Sequence, residues 1–129
     1  MAIFKSGCIN YITVRNAHAS VKINAGDPVE ATTNGVQPIQ ANGNAVFGFA
    51  HEDITANGGT GVVEVSYGAI FELSLASSFN PQFLTEVDID TTGKAKTKVG
   101  TAFGYVVGED PAASAAKVQI YVYPQRALA

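Results

Sequence analysis

A four-residue phrase that occurs twice is the feature of this chain that most constrains its fold. The copies Val46-Phe47-Gly48-Phe49 and Ala102-Phe103-Gly104-Tyr105 lie 56 residues apart. Each copy is followed by an acid pair, by small residues, and then by a valine-rich run typical of a β-strand. Glycine weakens a strand interior unless a bulge or a close backbone approach requires it. The repeat therefore predicts one piece of β-structure used twice, which would fill a small core and leave little room for an active site.

Strand-like runs dominate the rest of the chain. They cover residues 9–14, 36–40, 45–50, 62–67, 70–75, 99–107 and 118–123. Glycine, asparagine, aspartate and proline separate them, as turn residues do, and no long window has the helical spacing of apolar residues. We therefore predict an all-β fold, a small single-domain β-sandwich or barrel with its β core in residues 41–124. One or two short helices are the most it would contain, at residues 80–84 and 110–116, where a capping residue precedes a proline.

The N-terminal third has a different composition. Residues 15–44 are polar and rich in asparagine, glycine, threonine and alanine. Such a stretch suits either a run of surface loops or an extended segment that becomes ordered against a partner. We take residues 1–40 as an extended N-terminal arm, with surface loops as the alternative.

The surface is poor in charge. Charged residues make up 15% of the 129 residues and hydrophobic residues 47%, whereas charged residues usually reach about 25%. Either a partner or another copy covers much of this surface, or it is simply neutral. The net charge is −3, and no lysine or arginine lies between Lys22 and Lys94. Because neutralising phosphates requires clustered basic residues, we do not expect a nucleic-acid partner.

The chain offers few residues for chemistry. Cys8 is the only cysteine and His18 and His51 are the only histidines, so no Cys/His metal site is expected, and Cys8 is expected to be a small buried residue. A protein without disulfides suits a reducing cytoplasm. No secretory leader is recognisable, and no apolar run approaches the roughly 20 residues of a membrane span.

Two further patterns have plain structural explanations. Asp88–Gly93 resembles the start of a calcium loop, but Val99 occupies the twelfth position, where a carboxylate is required. A hairpin turn is the better prediction for this stretch. Lys94, Lys96 and Lys98 would lie on one face of a strand, either guarding a sheet edge or contacting an acidic partner. We therefore expect no enzymatic activity, no metal and no cofactor.

The residues from Ala45 onward carry a family resemblance. A strand with the pattern Gly-x-Ala leads to an acidic residue, a glycine-containing turn, an alternating valine strand and a Gly-x-Phe-x-Leu strand. These elements are Ala45 to Ala50, Asp53, Gly58, Gly61 to Val65, and Gly68 to Leu73. Later elements are Gly100, Ala102, Gly104 and Val106, and then Val118, Ile120 and Val122. Over residues 40–123 the chain resembles the capsid decoration (cement) proteins of tailed bacteriophages.

The resemblance implies a structural role without enzymatic activity. Such a protein is made in the host bacterial cytoplasm and binds the outer capsid surface of the virion, where it bridges major capsid protein subunits and stabilises the head. It also associates with itself, commonly as a homotrimer. We place the capsid contacts at Ile3, Phe4, Ile9 and Tyr11, and the self-association contacts at Phe47, Phe49, Phe103 and Tyr105. Burial in the core is the alternative for all eight residues.

Two other functions stay open at this point. The first is a glycan- or host-binding module, such as a head or fibre accessory protein. It would need exposed aromatic and polar side chains in one groove, and Tyr121-Val122-Tyr123 is its candidate. The second is an enzyme on a β-barrel scaffold, which the lack of a nucleophile–base pair disfavours.

Overall fold

A computed structural model describes residues 3–65, 68–76, 81–107 and 117–123, and only the backbone of residues 3–6. The described residues form eleven strands and no helix, which confirms the predicted all-β class. The strands are β1 (Ile3–Ser6), β2 (Asn10–Arg15), β3 (Pro28–Thr32), β4 (Gly35–Pro38), β5 (Gly48–Ala50), β6 (Thr60–Val65), β7 (Ile70–Ser74), β8 (Glu86–Ile89), β9 (Ala95–Thr97), β10 (Gly104–Val107) and β11 (Lys117–Val122).

The strands build two antiparallel sheets. One has the order β2-β6-β5-β3-β4, and the other has the order β1-β7-β11-β10-β8-β9. We call β2–β6 the first unit and β7–β11 the second unit. In each unit the chain just after the first strand meets the third strand in an isolated parallel bridge, and we call this contact the closure of the unit. The bridge joins Asn16 to Val36 in the first unit and Leu75 to Ala95 in the second. Each closure includes a backbone hydrogen bond, from the Ala17 amide to the Val36 carbonyl (2.7 Å) and from the Ala76 amide to the Ala95 carbonyl (2.8 Å).

The two units have the same connectivity and the same register. In each unit the first strand pairs with the fifth, the fifth with the fourth, the fourth with the second and the second with the third. Val29 opposite Gly48 corresponds to Val87 opposite Gly104, and Ala50 opposite Val63 corresponds to Val106 opposite Ile120. Phe47, Gly48 and Phe49 are therefore equivalent to Phe103, Gly104 and Tyr105. The prediction that the repeated phrase marks one piece of structure used twice is confirmed.

The repeated glycine marks a close approach of two backbones. A Cβ atom at Gly48 would overlap the carbonyl oxygen of Glu64 on β6, and one at Gly104 would overlap the carbonyl oxygen of Tyr121 on β11. Glu64 and Tyr121 are themselves equivalent, because they lie opposite Phe49 and Tyr105. The same steric requirement thus explains the glycine in both copies.

Each unit has its own apolar core, and Phe49 connects the two. The first core contains Ile23, Val29, Val36, Ala50, Ile54, Val63 and Val65. The second contains residues of β7–β11 together with Ile39, Val46 and Phe49 from the first unit. The ring of Phe49 lies 5.8 Å from that of Phe71 and 5.7 Å, edge-on, from that of Phe103. Phe49 therefore belongs to the first unit by chain position and to the second core by packing.

The prediction of an extended arm is wrong for residues 10–40. Residues 10–40 build β2, β3 and β4 of the first unit, and Ile23 and Val29 are completely buried. Apolar residues are sparse in this stretch, yet Pro28 to Ala31 of β3 and Val36 of β4 are buried. The surface-loop alternative holds only for the connections between these strands.

Two buried carboxylates occupy equivalent positions in the units. Glu30 lies opposite Gln37 and Asp88 lies opposite Lys96, and both acids are almost fully buried. Glu30 accepts hydrogen bonds from Gln37 Nε2 (2.8 Å), Asn44 Nδ2 (2.8 Å) and the Gln40 amide (3.1 Å). Asp88 accepts them from the amides of Val99 (2.5 Å) and Gly100 (2.7 Å). Each acid thereby fixes the chain that follows β4 or β9.

The local turn predictions have mixed outcomes. The hairpin turn after Asp88 is confirmed, since Asp90 Oδ1 accepts hydrogen bonds from the amides of Thr92 and Lys94, both at 2.9 Å. Residues 81–84 form a turn in place of the short helix expected there. The second helix candidate, residues 110–116, lies outside the described residues.

Candidate binding surfaces

The space between the two units is too small for a substrate. A cavity of about 10 Å³ lies there, lined mainly by Phe47, Phe49, Phe71 and Phe103. A buried water molecule needs roughly 10–15 Å³, so the cavity holds one water molecule at most.

The two histidines have local structural contacts. His18 Nδ1 accepts hydrogen bonds from the amides of Ser20 (3.1 Å) and Val21 (3.0 Å), so it holds a loop. Exposed His51 lies 3.4 Å from Glu64 through its Nδ1 atom. Cys8 is exposed, so the expectation that it is buried is wrong. Across the described ranges, no three His, Cys, Asp or Glu side chains come together as metal ligands would.

The four predicted capsid-contact residues lie in, or in the chain between, two strands that each end a sheet. We call the outer sides of these strands, β1 and β2, the N-terminal edge. Ile3 and Phe4 are in β1, which pairs with β7, and Tyr11 is in β2, which pairs with β6. Ile9 lies between the two strands, half-buried against the second core. Tyr11 is 60% exposed, and its ring lies edge-on to His51 at 5.2 Å.

The β2 part of this edge is exposed and has no protecting charge. Among the described strands, β6 alone pairs with β2 over Asn10–Arg15. Ile12, which sequence reasoning missed, is 39% exposed. Proteins normally protect edge strands with lysine, proline or a bulge. The segment from Asn10 to Val14 has none of these residues, and its ladder with β6 is regular.

Edges elsewhere in the molecule are protected. β4 ends at Pro38, and β9 carries Lys96 between the exposed side chains of Lys94 and Lys98. The position of β9 at the margin of its sheet supports the predicted role of these lysines as guards of an edge. Within the described part of the chain, the β2 edge is therefore distinguished by its lack of protection.

The four predicted self-association residues do not form one surface. Phe49 and Phe103 are 4% and 3% exposed, and their rings touch within the chain. Phe47 and Tyr105 are half-buried, Phe47 against the first core. Core burial, the alternative weighed for these residues, describes Phe49 and Phe103.

A group of tyrosines forms a second exposed feature, which we call the tyrosine cluster. The ring of Tyr105 stacks on that of Tyr121 at 5.2 Å and lies 5.4 Å from that of Tyr123. Tyr121 is 36% exposed. Partial burial, together with a hydrogen bond to Glu86, raises the pKa of Tyr123 above its ordinary value. The cluster thus combines an aromatic surface with a neighbouring carboxylate.

Electrostatics add little to either surface. The Lys22–Asp53 ion pair (3.2 Å) is about half exposed on both sides, and such solvent-screened pairs contribute little to stability. The Ala25 amide and Lys22 hold the pKa of Asp53 below its usual value.

No described helix is long and apolar enough to cross a membrane.

Known proteins provide no match for this chain. No family model matches the sequence, no curated protein matches it, and no solved structure matches the fold.

Proposed function

We propose that this protein is a structural accessory protein of a tailed-phage head, which binds the outer capsid surface and bridges major capsid protein subunits. The observation that carries the proposal is the N-terminal edge, where Tyr11 and Ile12 are exposed in the uncharged stretch Asn10–Val14 of β2, a strand with one side open. The sequence resemblance supplies the identity of the partner. The role requires no bond-breaking, so we also propose that the protein is not an enzyme.

The mechanism we propose is multivalent bridging. A contact of a few exposed residues is weak by itself, but several copies linked together bind far more tightly. We therefore propose that the protein associates with itself, as a closed homotrimer, when it is on the head. Separating two capsid subunits would then require breaking several contacts at once.

Truncating Tyr11 should weaken binding to heads. Truncating an aromatic side chain that is buried at an interface typically weakens the free energy of binding by more than 1 kcal/mol. The Tyr11→Ala variant should therefore bind undecorated heads about tenfold more weakly. Co-sedimentation of purified protein with undecorated heads, over a range of protein concentrations, measures this affinity. Because Tyr11 is 60% exposed, the substitution should leave the fold intact.

Phe83→Ala is the matched control for this measurement. Phe83 is 57% exposed in the turn before β8, away from the N-terminal edge. Its removal should leave head binding unchanged. If the Tyr11 and Phe83 variants lose affinity equally, the N-terminal edge is not the contact, and if the unsubstituted protein ignores heads, the proposal fails.

The tyrosine cluster favours a second candidate function, binding of a host glycan. Aromatic rings provide large amphipathic contact surfaces, and Glu86 could accept hydrogen bonds from sugar hydroxyl groups. Under this alternative, purified protein binds a glycan array, Tyr121→Ala abolishes that binding, and Tyr11→Ala leaves it intact. A protein that binds a sugar through Tyr121 while failing to sediment with heads would replace the capsid proposal.

A further inference from the structure

The equivalence of the two units identifies a position on β2 that is filled on β7. On β7, the strand β1 occupies the outer side, with Ser6 opposite Ile70, Phe4 opposite Phe71 and Ile3 opposite Glu72. Phe71 lies opposite Ile120, just as Ile12 lies opposite the equivalent residue Val63. The counterparts of Ile70, Phe71 and Glu72 are therefore Tyr11, Ile12 and Thr13. We call the outer side of these three residues of β2 the open seat.

The residues of the open seat are more exposed than their counterparts on β7. Phe71 is 3% exposed, whereas its counterpart Ile12 is 39% exposed. Tyr11 and Thr13 are exposed, whereas Ile70 and Glu72 are half-buried. Farther along the chain, Val14 is half-buried, Arg15 is exposed and Asn16 is completely buried. No described strand covers the open seat as β1 covers β7.

We propose that the open seat accepts an extended, uncharged strand of the major capsid protein, which runs antiparallel to β2 as β1 runs antiparallel to β7. This inference rests on the proposed function for the identity of the partner. Main-chain hydrogen bonds would hold the added strand, and side chains facing Ile12 and Tyr11 would provide selectivity. An apolar residue opposite Ile12 would repeat the pairing of Phe4 with Phe71.

The closure of the first unit limits the length of this strand. β4 meets the chain at Asn16, and the Arg15 carbonyl packs directly against Gly35. Suppose that the β2 strands of two copies paired antiparallel, with Ile12 opposite Ile12. Residues 7 and 8 of each copy would then occupy the space in which β4 of the other copy meets its own chain, and the two copies would clash. A segment that pairs over about four residues and then turns away, which is the length of β1, avoids the closure. This geometry disfavours symmetric pairing of two β2 strands about Ile12 and suits a short capsid segment.

Hydrogen exchange on decorated heads tests the inference directly. In an edge strand about every second amide points outward, so about half of the amides of Asn10–Val14 should exchange at least tenfold more slowly on heads than in the free protein. Ile12→Lys should reduce head affinity at least tenfold, because an edge lysine opposes strand addition. Val99→Lys makes the same charge change at a residue that is 68% exposed outside the N-terminal edge, and should bind like the unsubstituted protein. A thermal unfolding midpoint measured for each variant separates lost binding from lost folding.

The outcomes separate this inference from the proposed function. Heads that bind the protein without slowing these amides would overturn the strand seat and leave the capsid role standing. Protein that does not bind heads overturns both. A third outcome is that the amides of Asn10–Val14 already exchange slowly in the free protein. If that protein is monomeric, residues of the same chain occupy the open seat. If sedimentation shows a dimer that Ile12→Lys dissociates, a second copy occupies it. Either result overturns the inference.

Discussion

Replacing Gly104 by alanine is expected to lower the free energy of unfolding by about 3 kcal/mol. The new methyl group would overlap the Tyr121 carbonyl oxygen and lie 2.8 Å from Ile120 Cγ2. The carbonyl belongs to a β11 residue paired with β10, so it cannot move aside without disturbing the ladder. Gly48→Ala should have a similar effect, because its methyl group would overlap the Glu64 carbonyl oxygen and lie 2.8 Å from Val63 Cγ1.

Urea unfolding of the two variants measures both effects. Ala41→Val is a suitable control because it adds methyl groups at an exposed position, where a change within about 0.5 kcal/mol is usual. The two glycine variants test the equivalence of the units as well as the steric argument. A large loss at one glycine and none at the other would mean that the backbones do not approach each other in the same way in the two units.

Alanine at Glu30 is expected to lower the free energy of unfolding by about 2–3 kcal/mol. The substitution removes the acceptor for three donors, Gln37 Nε2, Asn44 Nδ2 and the Gln40 amide. Relief from burying a carboxylate offsets part of this loss. The segment after β4, which Glu30 fixes, also carries Ile39 and Val46 into the second core. Loosening it should therefore reach both units.

Asp88→Ala should cost less, about 1–2 kcal/mol. Asp88 accepts two hydrogen bonds through Oδ2, while its buried Oδ1 has no hydrogen-bond partner among the described residues. The desolvation cost of Asp88 is therefore less fully compensated by hydrogen bonds than that of Glu30, so relief of this cost offsets more of the stability lost on substitution. Thermal unfolding compares the two variants, with exposed Glu52→Ala as the control, which loses a single bond from the Val62 amide (2.8 Å). A greater loss for Asp88→Ala than for Glu30→Ala would contradict this comparison.

The sequence predicted those strands whose burial follows from apolar residues alone. In β6, β7 and β11 the buried and partly exposed residues alternate, and the valine, leucine and isoleucine pattern shows it. β3 was missed because it begins at Pro28 and contains Glu30, two residues that normally argue against a buried strand. Glu30 is buried because side chains from other segments bind it. Such long-range compensation is invisible to a local pattern.

The candidate surface was predictable only in part. Tyr11 was placed at the capsid contact from its position in the chain, and that assignment stays a prediction. The importance of Ile12 depends on its equivalence to Phe71, which only the strand register reveals. The repeated phrase indicated duplication, but the equivalent residues of β2 and β7 share almost no identity. Strand register, set by backbone pairing, persists where side chains differ.

The position of Phe49 has a consequence for how the molecule melts. Its ring fills part of a core made by later strands, together with Ile39 and Val46, so each half of the chain shelters apolar surface of the other. Unfolding of either half would hydrate the aromatic contacts of Phe49 with Phe71 and Phe103. The two units should therefore unfold together in one cooperative transition, not in two separate ones.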